Sequence, residues 1–241
     1  MTEQTNERPR GRGLILMIAT IIAILLVSSV PFLIPTENRV AMRLQSQGYD
    51  IIHNIDDSNW VWYRPTHFNC YRRSVTDDTL KELALMPKLF SVSFYDCDSS
   101  KLDLGLLAAI PNLTDLSFIN NDGPRGTPKD VAKLAGCRKL EILSFYKTPL
   151  ARTDIEPLAN TPLKELRCSS SGLTDADCTV FSLMQLERLD LSYNSAITDA
   201  SLSVFENIPT LQYLNVYKAG ITKEGIEEFK KKRPSVIIRA D

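Results

Sequence analysis

Histidine is scarce in this chain: His53 and His67 are the two among 241 residues. Neither stands in an H-E-x-x-H pair, which excludes the helical zinc site that such spacing builds. The sequence also lacks G-x-S-x-G, the phosphate-binding P-loop and G-x-G-x-x-G. Those absences remove the usual signatures of hydrolases, nucleotide-binding enzymes and dinucleotide-dependent enzymes. Five cysteines contain no C-x-x-C, so neither a zinc ribbon nor a thioredoxin-like centre is supported. Ser169-Ser170-Ser171 has no base beside it and reads as the polar end of a strand. No enzymatic activity, metal ion or cofactor is therefore expected. Net charge is −1. Beyond residue 36 there are 25 basic and 27 acidic residues, a net of −2. With no broad basic field, nucleic acid is not expected as a partner.

Charge is wholly missing between Arg12 and Glu37. Leu14 to Ile34 is almost entirely apolar, the length needed to cross a hydrocarbon core of roughly 30 Å. A cleaved signal peptide is the competing explanation, with Val27-Ser28-Ser29 as its cleavage site. The long run and the lack of an A-x-A triplet favour a retained anchor. Arg8, Arg10 and Arg12 precede the run, and Arg39 and Arg43 follow it. That asymmetry places the N-terminus in the cytoplasm and the rest of the chain on the other side. The expected organisation is a cytoplasmic tail at 1–13, a transmembrane helix at 14–34, an N-terminal cap at 37–64 and repeats at 65–241.

What is present is a repeated apolar phrase. Its clearest copies are Leu113-x-x-Leu116-x-Phe118, Leu140-x-x-Leu143-x-Phe145, Leu163-x-x-Leu166-x-Cys168, Leu186-x-x-Leu189-x-Leu191 and Leu211-x-x-Leu214-x-Val216. Leu89-x-x-Val92-x-Phe94 precedes them, and Pro65-x-x-Phe68-x-Cys70 is a weaker first copy. Successive copies start 24, 24, 27, 23, 23 and 25 residues apart. A fixed period in this range means stacked units rather than one closed core.

A polar pair follows most strands: Val75-Thr76-Asp77, Leu173-Thr174-Asp175 and Ile197-Thr198-Asp199, with Thr153-Asp154 and Ile221-Thr222-Lys223 as variants. Thr and Asp accept the orphan N–H groups at a helix start. Apolar residues then recur three apart, as in Leu80 and Leu83 or Leu202 and Phe205, which turns one helical stripe inward. Each unit reads as strand, turn, short helix and return. Glu37 to Gln47 reads as a capping helix ended by Gly48. Tyr49–Ile52 and Trp60–Tyr63 read as a hairpin about Asp56-Asp57-Ser58-Asn59. Val236-Ile237-Ile238 reads as a terminal edge strand.

From Pro65 to Asp241 the pattern resembles the leucine-rich-repeat family, most closely its ribonuclease-inhibitor-like, cysteine-containing branch. The resemblance implies an α/β solenoid with parallel strands on a concave face and helices on a convex one. It implies no single function, since such a scaffold serves many partners.

The register gives each cysteine a small buried role. Cys70 and Cys168 take the third apolar strand position, and Cys178 an apolar helix position. Cys97 takes the slot held elsewhere by Asn121, Thr148, Ser171 and Asn194, and Cys137 ends a repeat. The thiols are expected to be mostly reduced. The unit starting at Leu113 is the longest, and Asn120 to Pro128 is its candidate insertion.

Strand side chains alternate, so residues between and just after the apolar positions face solvent. Six of eight tyrosines fall there: Tyr71, Tyr95, Tyr146, Tyr193, Tyr213 and Tyr217. Arg72, Lys147, Arg188 and Lys218 lie among them. Phe68, Phe94, Phe118 and Phe145 occupy inward positions instead. The chain sorts its rings by the hydroxyl, which wants water or a partner. Tyrosine and arginine are enriched at recognition surfaces. Tyrosine also suits a solvated sheet with no ligand. The expectation is a membrane-anchored binding protein whose concave tyrosines, with Arg72, Lys147 and Arg188, contact a protein partner or, alternatively, a glycan. A structural or assembly component of an envelope complex is the second expectation.

Overall fold

The computed structural model describes residues 35–54, 64–121 and 128–240. Leu14 to Ile34, the Asp56–Asn59 turn, Trp60–Tyr63 and most of the Asn120–Pro128 insertion lie outside the described residues. Among the described residues no helix is long and apolar enough to cross a membrane.

The described chain begins with helix α1 (Thr36–Ser46) and strand β1 (Asp50–Asn54). Seven strands then carry the seven copies of the phrase: β2 (Arg64–Tyr71), β3 (Ser91–Tyr95), β4 (Asp115–Ile119), β5 (Ile142–Tyr146), β6 (Glu165–Ser169), β7 (Arg188–Asp190) and β8 (Tyr213–Asn215). The terminal strand β9 is Ile237–Arg239. All nine form one sheet in sequential order. Every pairing from β2 onward is parallel, whereas β1 runs antiparallel to β2. The antiparallel partner of β1 is thus the first repeat strand itself. This gives the cap a direct ladder onto the sheet edge, where unpaired backbone groups would otherwise face solvent.

Register is strict. Phe68, Val92, Leu116, Leu143, Leu166, Leu189, Leu214 and Ile238 align across the sheet. Cys70, Phe94, Phe118, Phe145 and Cys168 form the parallel inward row. Its rings stack, with centroids 5.2 Å apart for Phe94–Phe118 and 5.4 Å for Phe118–Phe145. All are buried. A one-residue slip would expose this whole row, which is why the register is specified so strongly.

The helical side is tighter than the sequence pattern predicts. Short α-helices occur at α2 (Asp77–Leu83), α3 (Arg152–Ile155), α4 (Asp175–Cys178) and α5 (Leu202–Glu206), and a longer one at α6 (Lys223–Lys232). The other returns, such as Leu104–Ala109 and Val131–Gly136, are 3₁₀ turns. A 3₁₀ turn advances about 2.0 Å per residue against 1.5 Å for an α-helix. A unit of 23–27 residues must cross back with few residues to spare, and 3₁₀ geometry does so.

The Thr-Asp pair has two tasks. Thr76 accepts the Thr79 N–H, and Thr222 accepts the Gly225 N–H at 3.0 Å. The aspartate reaches sideways into the next unit. Asp175 accepts the N–H and hydroxyl of Thr198, at 2.8 and 2.7 Å, and the Ser201 hydroxyl. Asp199 does the same for Thr222, at 2.8 and 2.6 Å. The Thr153-Asp154 variant departs from the expectation. Its helix starts two residues earlier, with Ala151 as N-cap, and Asp154 accepts the Ala151 N–H at 2.9 Å.

Burial tends to raise the Asp175 carboxyl, but hydrogen bonds from Ser201 and Thr198 outweigh it and hold the group below the usual carboxylate range. A carboxyl depressed on folding adds stability that is whole above its unfolded pKa of about 4 and is lost as pH falls through the folded value. Asp175→Asn is expected to cost about 1 kcal/mol or less at pH 7, since the group is largely solvated. It is also expected to flatten the loss of stability between pH 5 and the acid limit. Urea melts of both proteins across that range check this; identical acid slopes would refute it.

Candidate functional site

The face of the sheet turned away from the helical segments is built from columns, one residue per strand. The column after the inward row contains Tyr71, Tyr95, Ile119, Tyr146 and Ser169. One residue further, the chain leaves each strand in the left-handed region. Arg72, Asp96, Asn120, Lys147, Ser170, Tyr193 and Lys218 all have φ between 49° and 60°. For a residue with a Cβ this costs about 1–2 kcal/mol. The conformation is held because each N–H from Arg72 to Tyr193 donates to the neighbouring unit, as Arg72 does to Tyr95 O at 2.9 Å and Tyr193 to Tyr217 O at 2.8 Å.

The sequence-predicted tyrosines therefore belong to different columns. Tyr71, Tyr95, Tyr146 and Tyr217 follow the inward row directly. Tyr193 sits on the left-handed turn with Arg72 and Lys147, and Tyr213 lies in line with Arg188 and Glu165. Tyr71, Tyr146 and Tyr193 are 49%, 38% and 53% exposed; Tyr95, Tyr213 and Tyr217 are half-buried. Tyr71 and Tyr95 stack with centroids 4.6 Å apart, and Tyr193 meets Tyr217 edge-on at 5.5 Å.

A groove of about 460 Å³ gathers Tyr95, Tyr146, Tyr193 and Tyr217. Tyr71, Tyr213, Arg72, Lys147 and Arg188 do not line it. Arg72 faces Asp96 at 3.3 Å on the turn, and the Lys147 ammonium lies 5.4 Å from the Tyr146 ring. Arg188 stacks over Tyr213 at 4.3 Å and contacts Glu165 at 3.4 Å.

The tyrosine pattern missed the groove's charged floor. Arg167, Asp190, Asn215 and Arg239 occupy the column between the second and third apolar positions and line the same groove. Arg167 pairs with Glu165 at 2.7 Å. Asp190 accepts from Ser192 Oγ at 2.6 Å and from Asn215 Nδ2 at 2.9 Å. The floor also holds Ser144, 6% exposed, whose hydroxyl has no hydrogen-bond partner among the described residues. The signal for this column was available, since it is the single residue between two apolar strand positions. Among the described residues no group of three or more His, Cys, Asp or Glu is placed to hold a metal ion. The groove can offer aromatic faces, one acid, two guanidinium groups and hydroxyls, an arrangement suited to holding a polar ligand.

No protein-family model matches the sequence, and no curated protein matches it. Solved structures do resemble it. An internalin from Listeria monocytogenes superposes with a TM-score of 0.50 at 19% identity, covering 73% of this chain and 47% of that one. Internalin C2 from the same organism gives a TM-score of 0.50 at 16% identity, covering 73% and 80%. The fold is a leucine-rich-repeat solenoid. At these identities the likeness establishes architecture alone, and this chain spans about half the length of the first internalin.

Leucine-rich-repeat geometry makes adjacent residues diagnostic. Tyr95→Ala and Tyr146→Ala are expected to change stability by about 1 kcal/mol or less, because both rings lie on the open face of the sheet and leave no enclosed cavity. Phe94→Ala and Phe145→Ala are expected to cost about 3–5 kcal/mol through cavities in the stacked row. Chemical denaturation of the four variants distinguishes the faces, and equal losses within each pair would show the register to be wrong.

Proposed function

We propose that this protein is a membrane-anchored, non-enzymatic binding protein that takes a protein partner on the open, concave face of its repeats. The groove carries the proposal. It joins four tyrosines to a floor of charged side chains already held by neighbours, so little side-chain freedom remains to be lost on binding. Tyrosine adds broad contact at low entropic cost, and arginine adds directional donors. A glycan is the alternative ligand class, since sugar rings stack on the same aromatic faces.

Anchoring rests on the sequence: the uncharged run from Leu14 to Ile34 and the arginines before it. Protease added outside sealed vesicles is expected to degrade the repeats and leave the N-terminal tail protected. Full protection of the repeats would reverse the orientation. A mature N-terminus near Val30, seen by intact mass, would remove the anchor.

For binding, a photo-crosslinking residue at position 146 of the full-length chain is compared with one at Leu183, on the helical side. A discrete adduct from position 146, lost when Tyr95 and Tyr217 are changed to alanine, is the expected result. Adducts that are the same from both positions and indifferent to the tyrosines would replace this proposal with fixed packing inside an envelope assembly.

A further inference from the structure

At four strand exits the third residue after the inward row turns a polar side chain back to the preceding unit. Asn121 Nδ2 donates to Phe94 O at 3.3 Å, Thr148 Oγ1 to Phe118 O at 3.4 Å, Ser171 Oγ to Phe145 O at 3.4 Å and Asn194 Nδ2 to Cys168 O at 2.8 Å. The target is always the inward residue of the unit before. In the second repeat this slot holds Cys97, and the inward residue before it is Cys70. Cys97 Sγ lies 3.2 Å from Cys70 O, as the series requires, and 2.7 Å from Cys70 Sγ. Among these pairs it is the one with cysteine at both positions. The backbone register, independently of the sulfur contact, brings the two thiols together. Cys137, Cys168 and Cys178 are buried elsewhere in the core.

We propose that Cys70 and Cys97 form a disulfide that staples the first repeat to the second. Two thiols become one S–S bond by exchange with a disulfide carrier, either glutathione disulfide or a protein disulfide. One cysteine thiolate attacks a carrier sulfur and expels the first carrier thiolate. The other cysteine thiolate then attacks that mixed disulfide and expels the second. The carrier takes two electrons and leaves as two thiols, and the two cysteine protons pass to solvent or to the departing thiolates. Both sulfurs are fully buried in the folded chain, so closure occurs before the second repeat packs on the first. The bond closes a chain segment of 70–97, long enough to restrict the unfolded state substantially.

The source of oxidant rests on the placement of the repeats outside the cytoplasm; the geometry does not. Full-length chain is reduced in denaturant, refolded in detergent through a glutathione redox buffer and alkylated. Three free thiols and a mapped Cys70–Cys97 peptide are expected, with a Tm roughly 5–10 °C above that of the reduced chain. Five free thiols, or a bridge involving Cys137, Cys168 or Cys178, would overturn the proposal. Cys97→Asn restores the amide used at Asn121 and Asn194, so it keeps the fold while removing the bridge. Its Tm is expected not to respond to reductant; a response as large as the wild type's would also overturn the proposal. Chain isolated from cells under alkylating quench separates the two ideas. Thiols open in cells but closing on refolding support the bridge and count against an oxidising location.

Discussion

Where each strand ends, the chain must turn while still inside the protein, and its backbone groups there cannot reach water. An unpaired buried carbonyl or N–H costs about 1–3 kcal/mol, and every repeat presents the same groups again. Asn121, Thr148, Ser171 and Asn194 answer this at one register position, each fully or almost fully buried. Asn194 alone accepts from the N–H groups of Ser171 and Leu173 and donates to Cys168 O and Leu191 O. These bonds cross between units, so no repeat is satisfied without its neighbour. The left-handed residue before the slot is part of the same device, since its strain is tolerated only while its N–H reaches the next unit.

Once that turn is fixed, the faces of the sheet follow without further choice. The residue before the slot by three is forced inward and becomes the phenylalanine row; the next one is forced outward and becomes the tyrosine column. A difference of one position separates a ring that fills the core from a ring that borders a groove. Aspartates on the far side repeat the logic, linking Asp175 to Thr198 and Asp199 to Thr222. The solenoid is thus tied laterally along two lines, with dispersion between stacked rings in the middle. The groove inherits this rigidity. Its floor pairs, Arg167 with Glu165 and Asp190 with Asn215, stand on strands whose spacing is already set.

Much of this was legible in the sequence because a repeat announces its own register. The phrase Leu-x-x-Leu-x-Phe places strands, alternation assigns faces, and the shared slot of Asn121, Thr148, Ser171 and Asn194 marks the buried turn. Other features depend on distances between units, which no single repeat encodes. That Tyr193 and Tyr217 share a groove while Tyr71 and Tyr213 do not is decided across several strands. Arg167 and Asp190 were passed over because neither is aromatic, although their position is as regular as any tyrosine's. The balance between α and 3₁₀ returns was hidden because three-residue apolar spacing satisfies both periods.

The ends of the solenoid explain why its first two repeats differ from the rest. At the slot where the third to sixth units carry an amide or hydroxyl, the first has Arg73, and its guanidinium turns outward to the cap, donating to Gln47 O at 2.9 Å. Gly48 is required there by its φ of +87°, and a Cβ would also push that guanidinium aside. Tyr49 adds a bond to Ser74 O at 2.9 Å, and Arg43 pairs with Glu82 at 2.8 Å. The second unit has Cys97, a weak donor in place of an amide. A stack of repeats opens from its ends, where one neighbour is missing. In the proposed topology the N-terminal end is also the one tethered to the membrane, so it bears any pull on the repeats. Cap contacts and the sulfur pair therefore fall in the first two units, where no side-chain amide or neutral hydroxyl fills the slot. At the other end β9 pairs with β8, and Arg233 adds side-chain donors to Glu206 O at 2.6 Å and Ile208 O at 2.9 Å.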